Sequence, residues 1–175
     1  MLDAFLGCVY FDRSKGGPDR GVWAIEVWEG ERLVLTYWRR EAAITSNQAV
    51  LKAVLETLTQ LRGAQLLEEG AQMNMHTIYQ YLYRGFTQWS KYWLTHDFRG
   101  KVSGAPIRNL ELWQQLLDQR RYLTFHYYRK GTNPTINRLL DFCWEKFDLP
   151  PDVHQPEDGV PQWYPPSPLT PTPTE

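Results

Sequence analysis

With 175 residues, 42% of them hydrophobic and 14% aromatic, the chain can bury one sizeable core, and two domains would each be small. Its 19 Lys and Arg stand against 20 Asp and Glu, and a formal net charge of -1 excludes a long-range field drawing it to DNA or RNA. Two distant cysteines, Cys8 and Cys143, and no run of roughly 18 apolar residues exclude a zinc or disulfide framework and a membrane span, and predict a cytoplasmic, unsecreted chain.

From Ala4 to Phe11 the residues are mostly apolar or aromatic and end in Asp12, the pattern of a buried strand; Arg13 to Pro18 supplies the turn. Val22 to Trp28 and Leu33 to Trp38 flank Glu29-Gly30-Glu31, a hairpin signal, so three strands come first. Thr45, Ser46 and Asn47 then offer N-cap oxygens to a helix on which Val50, Val54, Leu58 and Leu61 recur at helical spacing, with Leu51 and Leu55 widening the stripe. A fourth strand, around Gln72 to Thr77, runs into Ile78-Tyr79-Gln80-Tyr81, and the aromatic segment up to Leu94 reads as one or two helices. Asp97 to Ala105 is a polar loop. Asn109 is the expected N-cap of a helix from Leu110 to Gln119 that buries Leu112, Trp113, Leu116 and Leu117. Tyr122 to Tyr128 is a fifth strand, and Asn137 to Lys146, preceded by Asn133-Pro134, is a closing helix.

Beyond Asp148 the composition changes, because most of the twelve prolines lie between Pro150 and Pro173 with almost no aliphatic residues among them. The expected organisation is one domain over residues 1–147 and a disordered, proline-rich tail over 148–175. Trp163-Tyr164-Pro165-Pro166 could dock a protein partner with an aromatic-lined groove, although a solubilising tail accounts for the composition more simply.

Gln80-Tyr81-Leu82, Gly85, Thr87-Gln88-Trp89, Trp93, Asn109, Leu112-Trp113-Gln114, Thr124-Phe125-His126 and Lys130-Gly131 fall in the order and near-spacing of one family, over some fifty residues. Tyr10-Phe11-Asp12-Arg13-Ser14, Gly21 to Ile25 and Thr45-Ser46-Asn47-Gln48 extend the match, which covers about Val9 to Trp144. In this stretch the chain resembles type 1 ribonuclease H. The resemblance implies an α/β, ribonuclease H-like fold: a mixed five-stranded sheet in the order β-β-β-α-β-α-α-β-α with helices packed on it.

That family cuts the RNA strand of RNA:DNA hybrids with two magnesium ions held by four carboxylates, because paired hard dications need anionic oxygens around them. Asp12 matches the first of those acids, but Val50, Ile78 and Leu140 stand where the other three belong. If the shortened loop Lys130-Gly131-Thr132-Asn133-Pro134 shifts the last helix by one residue, Asp141 would turn inward in place of Leu140; one residue is about 100° of helix, so the two registers exclude each other. Neither register yields four acids. His76, two residues before Ile78, could share its strand face, though a lone histidine there is more often a hydrogen-bonded core residue than a ligand. Asp12 is thus a vestigial acid and at best a weak metal ligand. No cofactor is required for binding, and Mg2+ or Mn2+ would matter only to residual activity.

The positions that grip substrate in the family fare better. By resemblance, Thr45 and Asn109 match the pocket for a DNA phosphate, Asn47 and Gln80 match minor-groove contacts, and Trp89 matches the aromatic lying against DNA sugars. Capping alone would explain Thr45, Asn47 and Asn109 singly, and Trp89 with Trp93 could simply be helix packing. Lys91, Arg99, Lys101 and Arg108, offset by Asp97, keep a modest basic patch. Two readings follow: an inactive domain that binds RNA:DNA hybrid or another duplex weakly and salt-sensitively, or a protein-interaction scaffold on a degenerate fold. A residual metal-dependent hydrolase is the third.

Overall fold

Strand alternation sorts the residues of this chain onto two faces before any helix is placed. In the computed structural model, which describes residues 1–11 and 19–166, β1 (Leu2–Phe11), β2 (Arg20–Glu29) and β3 (Arg32–Ala42) form an antiparallel meander. Asp12 lies outside the described residues. β4 (Met73–Thr77) and β5 (Leu123–Tyr127) add in parallel on the other side of β1, and β6 (Gln162–Trp163) closes the far edge, giving the order β5-β4-β1-β2-β3-β6. The fold is the expected mixed sheet with one strand more.

Even-numbered β1 residues Leu2, Ala4, Leu6 and Cys8 enter the main core, together with Met73 and Met75 of β4. Over them lies α1 (Ser46–Gly63), whose apolar stripe Val50, Leu51, Val54, Leu58 and Leu61 is buried as its spacing predicts. A long helical stretch follows β4: α2 (Gln80–Arg84), a π-helical turn (Gly85–Trp89) and α3 (Ser90–Trp93). α4 (Leu110–Asp118) packs on α1. A Cβ on Gly85 would come within 2.2 Å of the Trp113 ring, so the absent side chain lets the π-turn approach α4.

α5 (Pro134–Phe147) covers β1 and β2 on the opposite face, against Val9, Val22, Ala24 and Trp38. It starts three residues earlier than the apolar pattern suggests, because Asn133 caps it through the Ile136 N–H at 3.1 Å and Pro134 fits its first turn. Gly7 permits close contact, since a Cβ there would sit 2.8 Å from that of Leu139. Glu26, only 5% exposed, is satisfied in this interface by both terminal guanidinium nitrogens of Arg138 and by Trp28 Nε1.

The expectation of a disordered tail from residue 148 does not hold for residues 149–166. They run as a strap along β3: Gly159 N–H donates to Trp38 O, Tyr164 N–H donates to Val34 O, and Leu35 and Thr36 pair with Trp163 and Gln162. Arg40 Nε donates to Asp158 Oδ2 at 2.9 Å, and the Arg40 guanidinium also reaches the carbonyls of Pro150 and Val153. An open sheet edge offers unpaired backbone groups, and a proline-rich segment can satisfy them from outside where its missing N–H groups face solvent. No helix among the described residues is long and apolar enough to cross a membrane.

Candidate nucleic-acid interface

By the family resemblance, the acid positions fall on Val50 of α1, Ile78 directly after β4 and Leu140 of α5, three apolar residues. Val50 is 2% exposed within the main core, Ile78 is half-buried directly after β4, and Leu140 packs half-buried against the second core while Asp141 points to solvent. Among the described residues no group of three or more His, Cys, Asp or Glu side chains is placed to hold a metal ion. Two hard dications need several carboxylate oxygens, and the aliphatic groups described at these positions do not supply them, so the described residues do not fit that pair of ions.

Tyr79, which has no role in the sequence reading, closes the gap between β1 and β4. Its hydroxyl accepts the Cys8 N–H at 2.7 Å and donates to the Cys8 carbonyl, so one phenol satisfies both backbone groups where the parallel pairing has ended. Burial pushes its pKa well above the ordinary tyrosine value and pushes the Cys8 thiol up to about 12, so neither ionises at neutral pH. Both cysteines are buried free thiols.

The candidate binding residues divide. Thr45 and Asn47 are exposed at the start of α1, where Thr45 forms a capping box: its hydroxyl accepts from Gln48 N–H at 3.2 Å while its own N–H donates to Gln48 Oε1 at 3.0 Å. Asn109 does not cap α4 as expected. It sits at φ 57°, a left-handed conformation asparagine tolerates, and its amide donates instead to the Tyr81 hydroxyl at 3.0 Å. That hydroxyl also accepts Trp113 Nε1–H at 2.9 Å, and the Tyr81 ring lies edge-on to Trp89 at 6.0 Å. Tyr81 therefore ties Asn109 to Trp89, a role invisible in the sequence because Asn109 lies 28 residues from Tyr81. Gln80 is exposed and donates to the Tyr127 hydroxyl at 3.2 Å.

Trp89 is 40% exposed, whereas Trp93, one turn on, is buried against Trp113. One tryptophan of the pair is thus core and the other presents a ring. Beside it lies a cavity of about 690 Å³ lined by Gln88, Trp89, Tyr92, Trp93, Lys101 and Arg108. Residues 98–107 form its outer wall as a hairpin, with Ile107 N–H donating to Phe98 O and Gly100 N–H donating to Ala105 O. An exposed indole with flanking cations suits a sugar–phosphate chain.

His76 is hydrogen-bonded on both sides and does not line this cavity. Its Nε2 lies 2.8 Å from Asp3 Oδ1 and its Nδ1 2.7 Å from the Tyr128 hydroxyl, satisfied by the neutral tautomer with Nε2–H donating to Asp3 and Nδ1 accepting from Tyr128. Burial lowers its pKa, the Asp3 hydrogen bond and charge oppose that, and His126 adds to it. The unfolded chain therefore takes up this proton first, and stability is expected to fall as pH drops below about 6.5 and to level once the folded histidine also protonates. Urea midpoints from pH 8 to 5 check this: His76→Gln should remove part of the acid slope, and an unchanged slope would count against the assignment.

The family model described as RNase H matches residues 7–141. A ribonuclease H of Janthinobacterium sp. (strain Marseille) is 33% identical over 109 residues, 62% of this chain and 70% of the relative. That of Thiobacillus denitrificans is 30% identical over 137 residues, 76% and 86% of the two chains. The crystal structure of LC11-RNase H1 in complex with RNA/DNA hybrid superposes with a TM-score of 0.58 at 10% identity, covering 84% of this chain and 99% of that one.

Proposed function

The chain belongs to the ribonuclease H family, and from that premise we propose that it is a member that binds RNA:DNA hybrid, or a related duplex, without cutting it. The observation that carries this reading is a contrast between two sets of positions matched by resemblance: Val50, Ile78 and Leu140 stand in place of acids, while Trp89 and Asn109 are retained and held together by Tyr81. Hybrid is the favoured duplex because the matched contacts address a DNA strand and a minor groove lined with 2'-hydroxyls. Few phosphate contacts and a net charge of -1 make the binding weak and salt-sensitive.

Fluorescence anisotropy with labelled hybrid at low salt, without divalent metal, tests it. Trp89→Ala combined with Asn109→Ala should weaken binding by about 1–3 kcal/mol. Labelled hybrid should stay intact with Mg2+ or Mn2+; cleavage that disappears in Asp12→Asn would overturn the non-cutting half of the proposal.

A second reading, a protein-interaction scaffold, draws on the strap, which holds Trp163 and Tyr164 at the sheet edge with 39% and 43% exposure. Exposed aromatics on a fixed backbone are good anchors for a partner. A partner that survives nuclease treatment and is lost on Trp163→Ala would favour it.

A further inference from the structure

Apart from the surface at Trp89, we propose that the open face of the sheet at its β5 edge is a second nucleic-acid surface, which takes unpaired, single-stranded segments by stacking a base beside His126. α1 and the Trp89 segment lie on one side of the sheet; on the other, α5 packs on β1 and β2. Beside α5, Phe5 of β1, His76 of β4 and His126 of β5 are neighbours in register, so their side chains leave the sheet side by side. Their rings stack nearly parallel, Phe5 to His76 at 4.4 Å and 11°, His76 to His126 at 5.0 Å and 18°. β5 is the edge strand, so no further strand follows His126 among the described residues. A row of planar rings ending at a free edge can be extended by one more planar ring, and every nucleobase supplies one.

The row is held in place before any ligand arrives. His76 is fixed by Asp3 and Tyr128, and Asn74 receives His126 Nε2 at 2.9 Å while donating to Asp3 at 3.2 Å. Little side-chain entropy is left to lose on binding. The charge around it suits a phosphate backbone. From Gln119 to Leu140 there are five Arg and Lys and no acid, and Arg121, Arg129 and Lys130 stand exposed at the two ends of β5. The carboxylates on this face are occupied: Asp3 by His76 and Asn74, and Glu26, the partner of Phe5 in register, by Arg138. Paired bases in a duplex hide their faces in the stack, so this arrangement favours single strands.

The test is anisotropy of a labelled oligothymidylate at low salt with the whole chain. His126→Gln, which can keep a hydrogen bond to Asn74 but loses the ring, should raise Kd about tenfold. The exposed pair Arg129→Gln with Lys130→Gln, which leaves the fold intact, should flatten the slope of log K against log salt by about 1.4, near 0.7 for each single-strand phosphate no longer neutralised. Trp89→Ala with Asn109→Ala should weaken hybrid binding and leave oligothymidylate binding unchanged, so the two surfaces fail or stand separately. The proposal is overturned if oligothymidylate does not bind, if neither the His126 nor the Arg129/Lys130 variant weakens it, or if the Trp89/Asn109 variant abolishes it.

Discussion

Trp113→Ala is expected to lower stability by about 3–5 kcal/mol, the range for truncating a large buried aromatic. Trp113 is fully buried, its ring centroid lies 5.2 Å from that of Trp93 and 5.4 Å from that of Tyr81, and Gly85 leaves the space it fills. The close approach of the π-turn leaves little freedom to collapse into the hole. Its Nε1–H is also one of two donors to the Tyr81 hydroxyl, so the loss reaches Asn109 and Trp89. For a chain of this size the melting temperature should fall by roughly 10 °C. Thermal melts followed by circular dichroism check it, with Trp113→Phe as the comparison: most of the volume stays, one hydrogen bond goes, and the cost should be far smaller. Equal melting temperatures for wild type and Trp113→Ala would refute the packing account.

Val50→Glu should be the other severe change, and it asks whether the acid site can be rebuilt. In this fold the position is 2% exposed inside the main core, so an ionised carboxylate there loses its hydration without a partner and costs several kcal/mol at neutral pH. Burial would raise its folded pKa above the unfolded value of about 4.3, so the penalty should be absent at acid pH and grow as pH rises through that interval. Leu140→Asp, at a half-buried position, should cost much less. Added Mg2+ or Mn2+ should not restore the melting temperature of Val50→Glu. Recovery with either ion would mean that metal ligands are present after all, and the non-cutting reading would lose its main support.

Much of the fold is legible because it rests on local periodicity. The stripe Val50, Leu51, Val54, Leu58, Leu61 specifies a buried helix face, and the hydrophobic runs of β1 to β3 specify strands, whatever lies elsewhere in the chain. Helix ends are less legible. Asn109 has the composition of a cap, but it stands in the left-handed conformation, its side chain makes no cap hydrogen bond, and its Nδ2 donates to the Tyr81 hydroxyl. The strap escapes local pattern for a related reason. Its prolines and lack of aliphatics rule out a core of its own, but not attachment to the β3 edge through backbone bonds and the Arg40–Asp158 pair.

What the sequence determined by itself was the family resemblance and the order of its first five strands and the helices. Those are properties of short segments, and short segments carry their own pattern. What only the tertiary structure decided was which distant groups meet: Tyr79 spanning 71 residues to Cys8, Tyr81 joining Asn109 to Trp113, Phe5, His76 and His126 aligned into one row of rings. Such meetings depend on strand register and helix placement, which are settled by the burial of the whole core at once and leave no periodic trace in the chain.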